Sequence, residues 1–448
     1  MPGGLIQLVA IGAQNYLLNG NPSISFFKKI YKTHTNFSME SIKSYFNKNY
    51  ANFYDKTTLT CKISRNADLI QEIYFSFSIP EIRKILKRDI NGENIIGDDF
   101  RYVQNLGEAF IHRYFLYIGG SIIDTQYGEW LHIWNELTID SSKRYGYDKL
   151  IGNVPELYIP DRYNRLLNGQ KQINKTRLYV PLRFWFNRNP GLALPLIALQ
   201  YHEIELHIEL RPYKEIFTIN ETAPSRDFNW KTYFNDFDIE PYLEINYIFL
   251  DTYERKHFAT KSQDYLIEQV IQVPIYKVPK HTINELVLQN PVKEIIWVFK
   301  RNDLEQTNNW FEFIDTHYDE ETTHEDPDTH ECICTHNYVE KEILSSAKFI
   351  FNGLDRIEEK EASYYNLIQP YQYHTNVPKA GVYVYSFSLY PEQFQPSGAC
   401  NMSRINKIEL NTNIITNNES YDYDLFVYVV NYNFLRITAG LAGLAFSC

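Results

Sequence analysis

The sequence predicts an all-β chain built as two similar antiparallel sandwiches in tandem, with short helices confined to the loops. The stretch from Leu178 to Leu210 reads as strand, Pro/Gly loop, short apolar turn and strand. In its last part Ile204, Leu206, Ile208 and Leu210 alternate with Glu203, Glu205, His207 and Glu209. Side chains in a strand have period two, so one face lies on a core and the other meets water. The stretch from Val382 to Leu410 repeats the plan: an aromatic strand, a loop with Pro396 and Gly398, and a returning strand with Ile405, Ile408 and Leu410. Each stretch follows a tight-hairpin signal, Gly119-Gly120 in the first case and Asn352-Gly353 in the second, because these residues tolerate φ > 0. The same landmarks in the same order imply duplication.

Composition agrees. At 448 residues the chain is long enough for two domains with large cores, and its 36 Tyr and 28 Phe favour pleated, half-buried surfaces. A net charge of −11 argues against nucleic acid as the main partner, since phosphate backbones reward basic proteins. The basic clusters Lys28-Lys29 and Lys84 to Arg88 read as solvated surface. Five cysteines are too few, and odd in number, for a secreted disulfide scaffold; they fit assembly in a reducing compartment. The uncharged run Met1 to Phe27 is interrupted by Gln7, Gln14, Asn15, Asn19 and Asn21, so no transmembrane span is expected there. It also lacks a basic n-region, so no cleaved signal peptide is expected.

In chain order, Met1 to Phe27 is an N-terminal arm, packed either on its own domain or on a neighbouring surface. Thr33 to Phe46 and Thr57 to Ile79 hold three strands. Glu81 to Phe100 is a surface excursion. Ala109 to Trp130 carries the Gly119-Gly120 hairpin, and Tyr127 to Leu137 sets Trp130, Trp134 and Leu137 at helical spacing, a short amphipathic helix on a sheet. Asp140 to Lys175 reads as a long polar loop. The expected division is an arm over 1–27, a first sandwich over 28–212, a polar linker over 213–240 and a second sandwich over 241–448, opened by a strand from Tyr242 to Leu250. Thr252 to Ser262 gives one or two helical turns. Strands follow at Tyr265 to Val273, Val292 to Lys300, Ala347 onward and Asp424 to Asn433, before a small-residue apolar tail from Ile437. Long loops, including Arg301 to Leu344, favour jelly rolls over immunoglobulin-like pairs.

The one cluster with ligand chemistry is Thr316 to His336, where His330, Cys332, Cys334 and His336 could in principle meet zinc. Cys-x-Cys followed by one His is a poor ligand ladder, and the surrounding Asp/Glu run suits a solvated loop. No nucleophile elbow, phosphate loop or dinucleotide fingerprint occurs, so neither catalysis nor a cofactor is expected. His207 lies on the polar face of its strand, facing solvent or an interface. Asn-x-Ser/Thr stands at Asn36, Asn174, Asn220, Asn401 and Asn418, each a possible glycosylation site where modifying enzymes reach the protein.

Six long stretches, spread in order over nearly the whole chain, resemble the major capsid proteins of nucleocytoplasmic large DNA viruses. They are GGLIQLVAIGAQNYLLNGNPSISFFKKIYKTHTNF near the start, YGEWLHIWNEL from Tyr127, RNPGLALPLIALQYHE from Arg188 and YIFLDTYERKHFATKSQDYLIEQ from Tyr247, then the segment from Asn366 to Ile405 and NYNFLRITAGLAGLAFS from Asn431. The resemblance implies a double jelly roll, two eight-stranded antiparallel sandwiches per chain. It implies a homotrimer that acts as a pseudo-hexameric capsomer and tiles an icosahedral virion shell assembled in the host cytoplasm. It places the N-terminal arm inward, towards minor capsid proteins or an internal membrane, with no direct contact to the genome. A jelly-roll lectin that reads glycans with its outer loops is the alternative from another functional class.

Overall fold

The computed structural model describes residues 3–47, 55–83, 87–88, 94–95, 100–159, 172–219, 239–318, 322–325, 332–335, 338–415 and 421–446. It divides into two compact units, Met1–Phe37 and Ser38–Cys448. The first unit carries two seven-residue helices, α1 (Gly3–Val9) and α2 (Ala13–Asn19), neither with a buried residue. Leu17, Leu18, Phe26 and Phe27 are exposed.

The second unit holds sixteen principal strands among the described residues. In chain order they are β1 (Phe37–Tyr45), β2 (Thr57–Lys62), β3 (Leu69–Ile79), β4 (Ile111–Ile118), β5 (Ser121–Tyr127), β6 (Thr176–Pro181), β7 (Ile204–Leu210) and β8 (Tyr242–Leu250). The second eight are β9 (Gln263–Ile275), β10 (His281–Glu285), β11 (Pro291–Arg301), β12 (Leu344–Phe351), β13 (Leu354–Asp355), β14 (Val382–Ser386), β15 (Ile408–Ile414) and β16 (Tyr423–Thr438). The first eight form sheets β1-β8-β3-β6 and β2-β7-β4-β5; the second eight form β9-β16-β11-β14 and β10-β15-β12-β13. Counted within each set, both follow the order first-eighth-third-sixth and second-seventh-fourth-fifth. The strand registers are antiparallel. Two sheets facing each other in this winding are a jelly roll, and the chain is a double jelly roll.

Local chemistry explains the elements. β7 buries alternate residues from Ile204 to Leu210, as its pattern requires. The fourth-to-fifth strand turns are Gly119-Gly120, with φ of +58° and +81°, and Asn352-Gly353, with φ of +49° and +82°. Positive φ at both central residues is the hairpin geometry that matches strand twist. The sequence echo therefore marks one topological position in both sandwiches. Phe75, Phe77, Phe110 and Tyr114 fill the first core. In the second, Trp297 meets the rings of Phe349, Tyr365 and Tyr383 at 5.6, 5.0 and 5.9 Å. Each such aromatic, fully buried, contributes about 1.5–3 kcal/mol.

Four expectations change. The strand Tyr242–Leu250 does not open the second sandwich: it pairs with β3, Tyr242 opposite Ser76 and Glu244 opposite Tyr74, and is the eighth strand of the first. The polar stretch before it is thus a connection between strands seven and eight, and the first sandwich runs past residue 212 to Leu250. Composition cannot separate a long connection from a linker; pairing can. The stretch from Asp140 to Lys175 is not a plain loop. It starts with a helix, Ser141–Ile151, whose N-terminus is capped by the Asp140 carboxylate accepting from Ser142 N at 2.8 Å. Only Tyr147 and Ile151 of that helix are buried, so its sequence is nearly as polar as a loop. The tail after Ile437 is a hairpin, in which Leu441–Leu444 folds back on β16. Between Arg301 and Leu344, Asp315–Tyr318 pairs with Tyr338–Lys341 and Thr322–Glu325 with Cys332–Thr335, so this excursion contains β-ladders.

Candidate assembly interfaces

One interface lies within the chain, at the junction of its two sandwiches. Helix α3 (Gly128–Thr138) follows the fifth strand and carries Trp130, Ile133, Trp134 and Leu137 on one stripe, the i, i+3, i+4, i+7 spacing of an amphipathic helix. That stripe lies on the outer face of the β9-β16-β11-β14 sheet, against Ile296, Val298, Val384, Tyr428 and Val430. The Trp130 and Tyr428 rings are 5.6 Å apart. β11 is consequently buried on both faces, which is why Ile295 to Phe299 reads as a continuous apolar run.

Ion pairs bracket this apolar patch. Lys300 Nζ lies 2.5 Å and Arg211 Nη2 3.6 Å from Glu129 Oε1, and Tyr428 OH donates to Glu129 Oε2 at 2.9 Å. Burial alone would raise the Glu129 carboxyl, but the Lys300 and Arg211 charges outweigh it and hold it below its ordinary range. Glu268 takes Lys293 at 2.7 Å and Arg188 at 2.6 Å, and the Arg188 guanidinium sits 4.3 Å over the Trp134 ring. His374 Nε2 lies 3.0 Å from Glu294 and its Nδ1 3.1 Å from Glu392. Burial would lower this imidazole, yet the two carboxylates outweigh it and raise it to about 9, favouring the charged form. Asp124, midway along β5, is pushed up to about 7 by burial, only partly offset by Gln126 and Arg188. Hydrogen bonds also cross the junction: the Gln269 side-chain Nε2 donates to Ile123 O at 2.5 Å, and backbone Asn376 N to Leu137 O at 2.9 Å.

The outer face of the β1-β8-β3-β6 sheet is different in kind. Tyr179 and Tyr242 both lie opposite Ser76, a row across three strands. Lys43 and Arg177 stand over the Tyr242 ring at 4.6 and 5.0 Å, and the Tyr45 ring is 6.2 Å from it. Arg177 also pairs with Glu240 at 2.7 Å. Met39 and Tyr45, on the outward side of β1, are 50% and 70% exposed.

The fifth-to-sixth connection of the second sandwich is a helical segment, a π turn at Tyr364–Ile368 running into Gln369–Tyr373. Tyr365 OH donates to Ala347 O, Asn366 Nδ2 to Val382 O, and Gln369 Oε1 accepts from Ser386 N, so the segment is fastened to β12 and β14. Leu367, Ile368 and Tyr371 point outward, exposed by 51%, 45% and 81%.

The residues singled out from sequence are scattered. Cys332 and Cys334 lie on one backbone strand, whereas His330 and His336 fall outside the described residues. Among the described residues no group of three His, Cys, Asp or Glu is placed to hold a metal ion. Asn36, Asn174 and Asn401 are exposed; Asn220 and Asn418 lie outside the described residues. Asn401 Oδ1 accepts from Ser403 N at 3.2 Å. His207 is half-buried, 3.0 Å from Glu205 and 4.4 Å from the Tyr117 ring. No described helix is long and apolar enough to cross a membrane. Sequence reasoning missed the buried groups Asp124, Glu129, Glu268, Lys293, Glu294 and His374. The Lys293-Glu294 pair directly before IIWVF was the available signal, because charges adjoining a buried strand need partners.

Known proteins share this architecture. Residues 25–251 match the family model described as major capsid protein N-terminus, and residues 254–443 match large eukaryotic DNA virus major capsid protein. The two matches meet where β8 ends. The chain is 35% identical to the major capsid protein of Phaeocystis pouchetii virus and 36% identical to that of Pyramimonas orientalis virus, in both cases over 100% of each chain. A quasi-atomic model of the PBCV-1 virus capsid superimposes with a TM-score of 0.73 at 29% identity, covering 95% of this chain and 100% of that one. Duplicated sandwiches, the junction helix and full-length sequence similarity lead to one conclusion: the chain belongs to the major capsid protein family of large eukaryotic DNA viruses.

Proposed function

We propose that this chain is a non-catalytic shell subunit that trimerises into a pseudo-hexameric capsomer and tiles the icosahedral capsid of a large DNA virus. The observation that carries the reading is the identical strand order in the two sandwiches. Two copies of one box per chain let three chains present six similar boxes, so a threefold object has a six-sided outline. Neighbouring capsomers and minor capsid proteins are the natural partners. The exposed, uncharged arm with Leu17, Leu18, Phe26 and Phe27 suits an apolar inner surface, such as minor proteins or an internal viral membrane. Its place of work is the virion shell, after assembly in the host cytoplasm. The sequons at Asn36, Asn174 and Asn401 are open to glycosylation should modifying enzymes meet the chain.

Subunit interfaces of permanent assemblies commonly bury ~2,000 Å² or more, so the trimer should survive dilution. Size-exclusion chromatography with light scattering is expected to give three times 53.1 kDa. A well-behaved monomer at micromolar concentration would contradict the reading.

A further inference from the structure

The second strand of each sandwich lies at the edge of its sheet, and the two edges are finished differently. In the first sandwich the edge of β2 is occupied: Asn47 N, just past the end of β1, donates to Thr60 O at 2.9 Å. In the second, β10 meets β15 on one side and no described strand on the other. Ile414 N donates to Lys280 O and Leu286 N to Ile408 O, both at 2.9 Å, so the even-numbered residues turn their backbone groups towards β15. Backbone direction alternates along a strand, and the N–H and C=O groups of His281, Ile283 and Glu285 therefore point away from the sheet. The register of β10 runs unbroken over these residues, with neither a proline nor a bulge to blunt it. An edge presented in this way is a template for one more strand.

We propose that the β10 edges of two copies pair antiparallel about a twofold axis through Ile283, joining a chain of one capsomer to a chain of the next. This rests on the capsomer reading and names a contact between its units. In that register the strand is its own complement. Ile283 meets Ile283, His281 meets Glu285, and Thr282 meets Asn284. Residues 281, 283 and 285 then form the hydrogen-bonded pairs, so every outward N–H and C=O finds a partner. The side chains agree. His281, Ile283 and Glu285 share the solvent face, with Ile283 65% exposed, so an apolar contact is flanked on both sides by an imidazole facing a carboxylate. His281 Nδ1 lies 2.7 Å from Asn413 Oδ1, which holds the ring and leaves Nε2 for the carboxylate of the second copy. Glu285 takes no hydrogen bond or ion pair among the described residues; nearby Lys407 is held by Glu409 at 2.7 Å. Other registers fail. A twofold at an even-numbered residue leaves the backbone groups turned away. One at His281 or Glu285 sets like groups opposite each other, and the former also brings up Pro279, which has no N–H. Five residues a side make a small contact, so free capsomers stay apart in dilute solution and the pairing acts through many copies in a shell.

The test is disulfide trapping in concentrated full-length protein. Across a hydrogen-bonded antiparallel pair the Cα atoms are ~5.5 Å apart, within disulfide reach. Under mild oxidation Ile283→Cys is expected to give a reducible two-chain band. Val287→Cys, at a position 81% exposed on the same face, has no twin opposite it and is expected to stay at the wild-type background. Adding Glu285→Lys to Ile283→Cys should cut the crosslinked fraction several-fold, and adding His281→Glu as well should restore it. All four positions are exposed, so unfolding midpoints should match the wild type. Equal crosslinking of the two cysteine variants, no band from Ile283→Cys, or indifference to the charge exchange would overturn the edge pairing. Light scattering of the same samples in reductant reads the capsomer separately. Trimers that fail to crosslink would leave the capsomer reading intact, whereas a monomer would remove that reading and the contact between capsomers with it.

Discussion

Asp124 shows how a single residue is governed by the meeting of the two sandwiches. Its carboxyl is fully enclosed, accepts from Gln126 Nε2 at 2.9 Å, and is pushed by burial from the usual 3.8 up to about 7. Because the folded value lies above the unfolded one, the folded chain holds the extra proton between these pH values. Stability from this group is complete below about pH 4 and is lost as pH rises through about 7. The size of the effect is at most on the order of 4 kcal/mol. Asp124→Asn keeps the shape and removes the titration. Thermal unfolding followed from pH 4 to 8 should show a shallower decline for the variant, with a higher midpoint than wild type above pH 7; parallel curves would show that Asp124 is ionised in the fold. Little of this was legible in sequence. The spacing of Trp130, Trp134 and Leu137 announced a helix with one apolar stripe, but nothing in it named Ile296 or Tyr428 as the partner. Buried charge is harder still, since Lys293 and Glu294 look like a strand end until Glu268 and His374 stand opposite them.

At the level of elements, period-two patterns and turn chemistry were readable and long-range pairing was not. β7, both Gly-containing hairpins and β11 lie where alternation, positive-φ residues and an apolar run place them. Tyr242–Leu250 was recognisable as a strand but not as a member of the first sheet, because the pattern fixes which face is buried and not which neighbour supplies the hydrogen bonds. The helix Ser141–Ile151 escaped notice because two buried side chains leave almost no amphipathic signature. The arm is the element whose role is separable. Helices α1 and α2 are seven residues each, too short to persist alone in water, so they depend on a surface for their order. Deleting residues 1–27 should leave the unfolding midpoint of the second unit within a few degrees of wild type and impair formation of closed shells in co-expression with the other capsid components. Loss of soluble folded protein on this deletion would show that the arm belongs to the fold itself.

For the whole molecule, duplication is the property with consequences. The two strand–loop–strand stretches echo each other in sequence, and the shared order first-eighth-third-sixth, second-seventh-fourth-fifth gives the echo a structural meaning. The sandwiches nevertheless differ in surface. One has its first sheet sealed by Trp130 and Trp134; the other leaves Met39, Lys43 and Tyr45 exposed in the same place. The most direct measurement is electron microscopy of the purified protein with class averaging and no imposed symmetry. Particles viewed down the axis should be six-lobed in outline with threefold symmetry, alternate lobes being distinguishable by the two sandwiches' different loops. Two-lobed single chains, twofold dimers or open filaments would contradict the account.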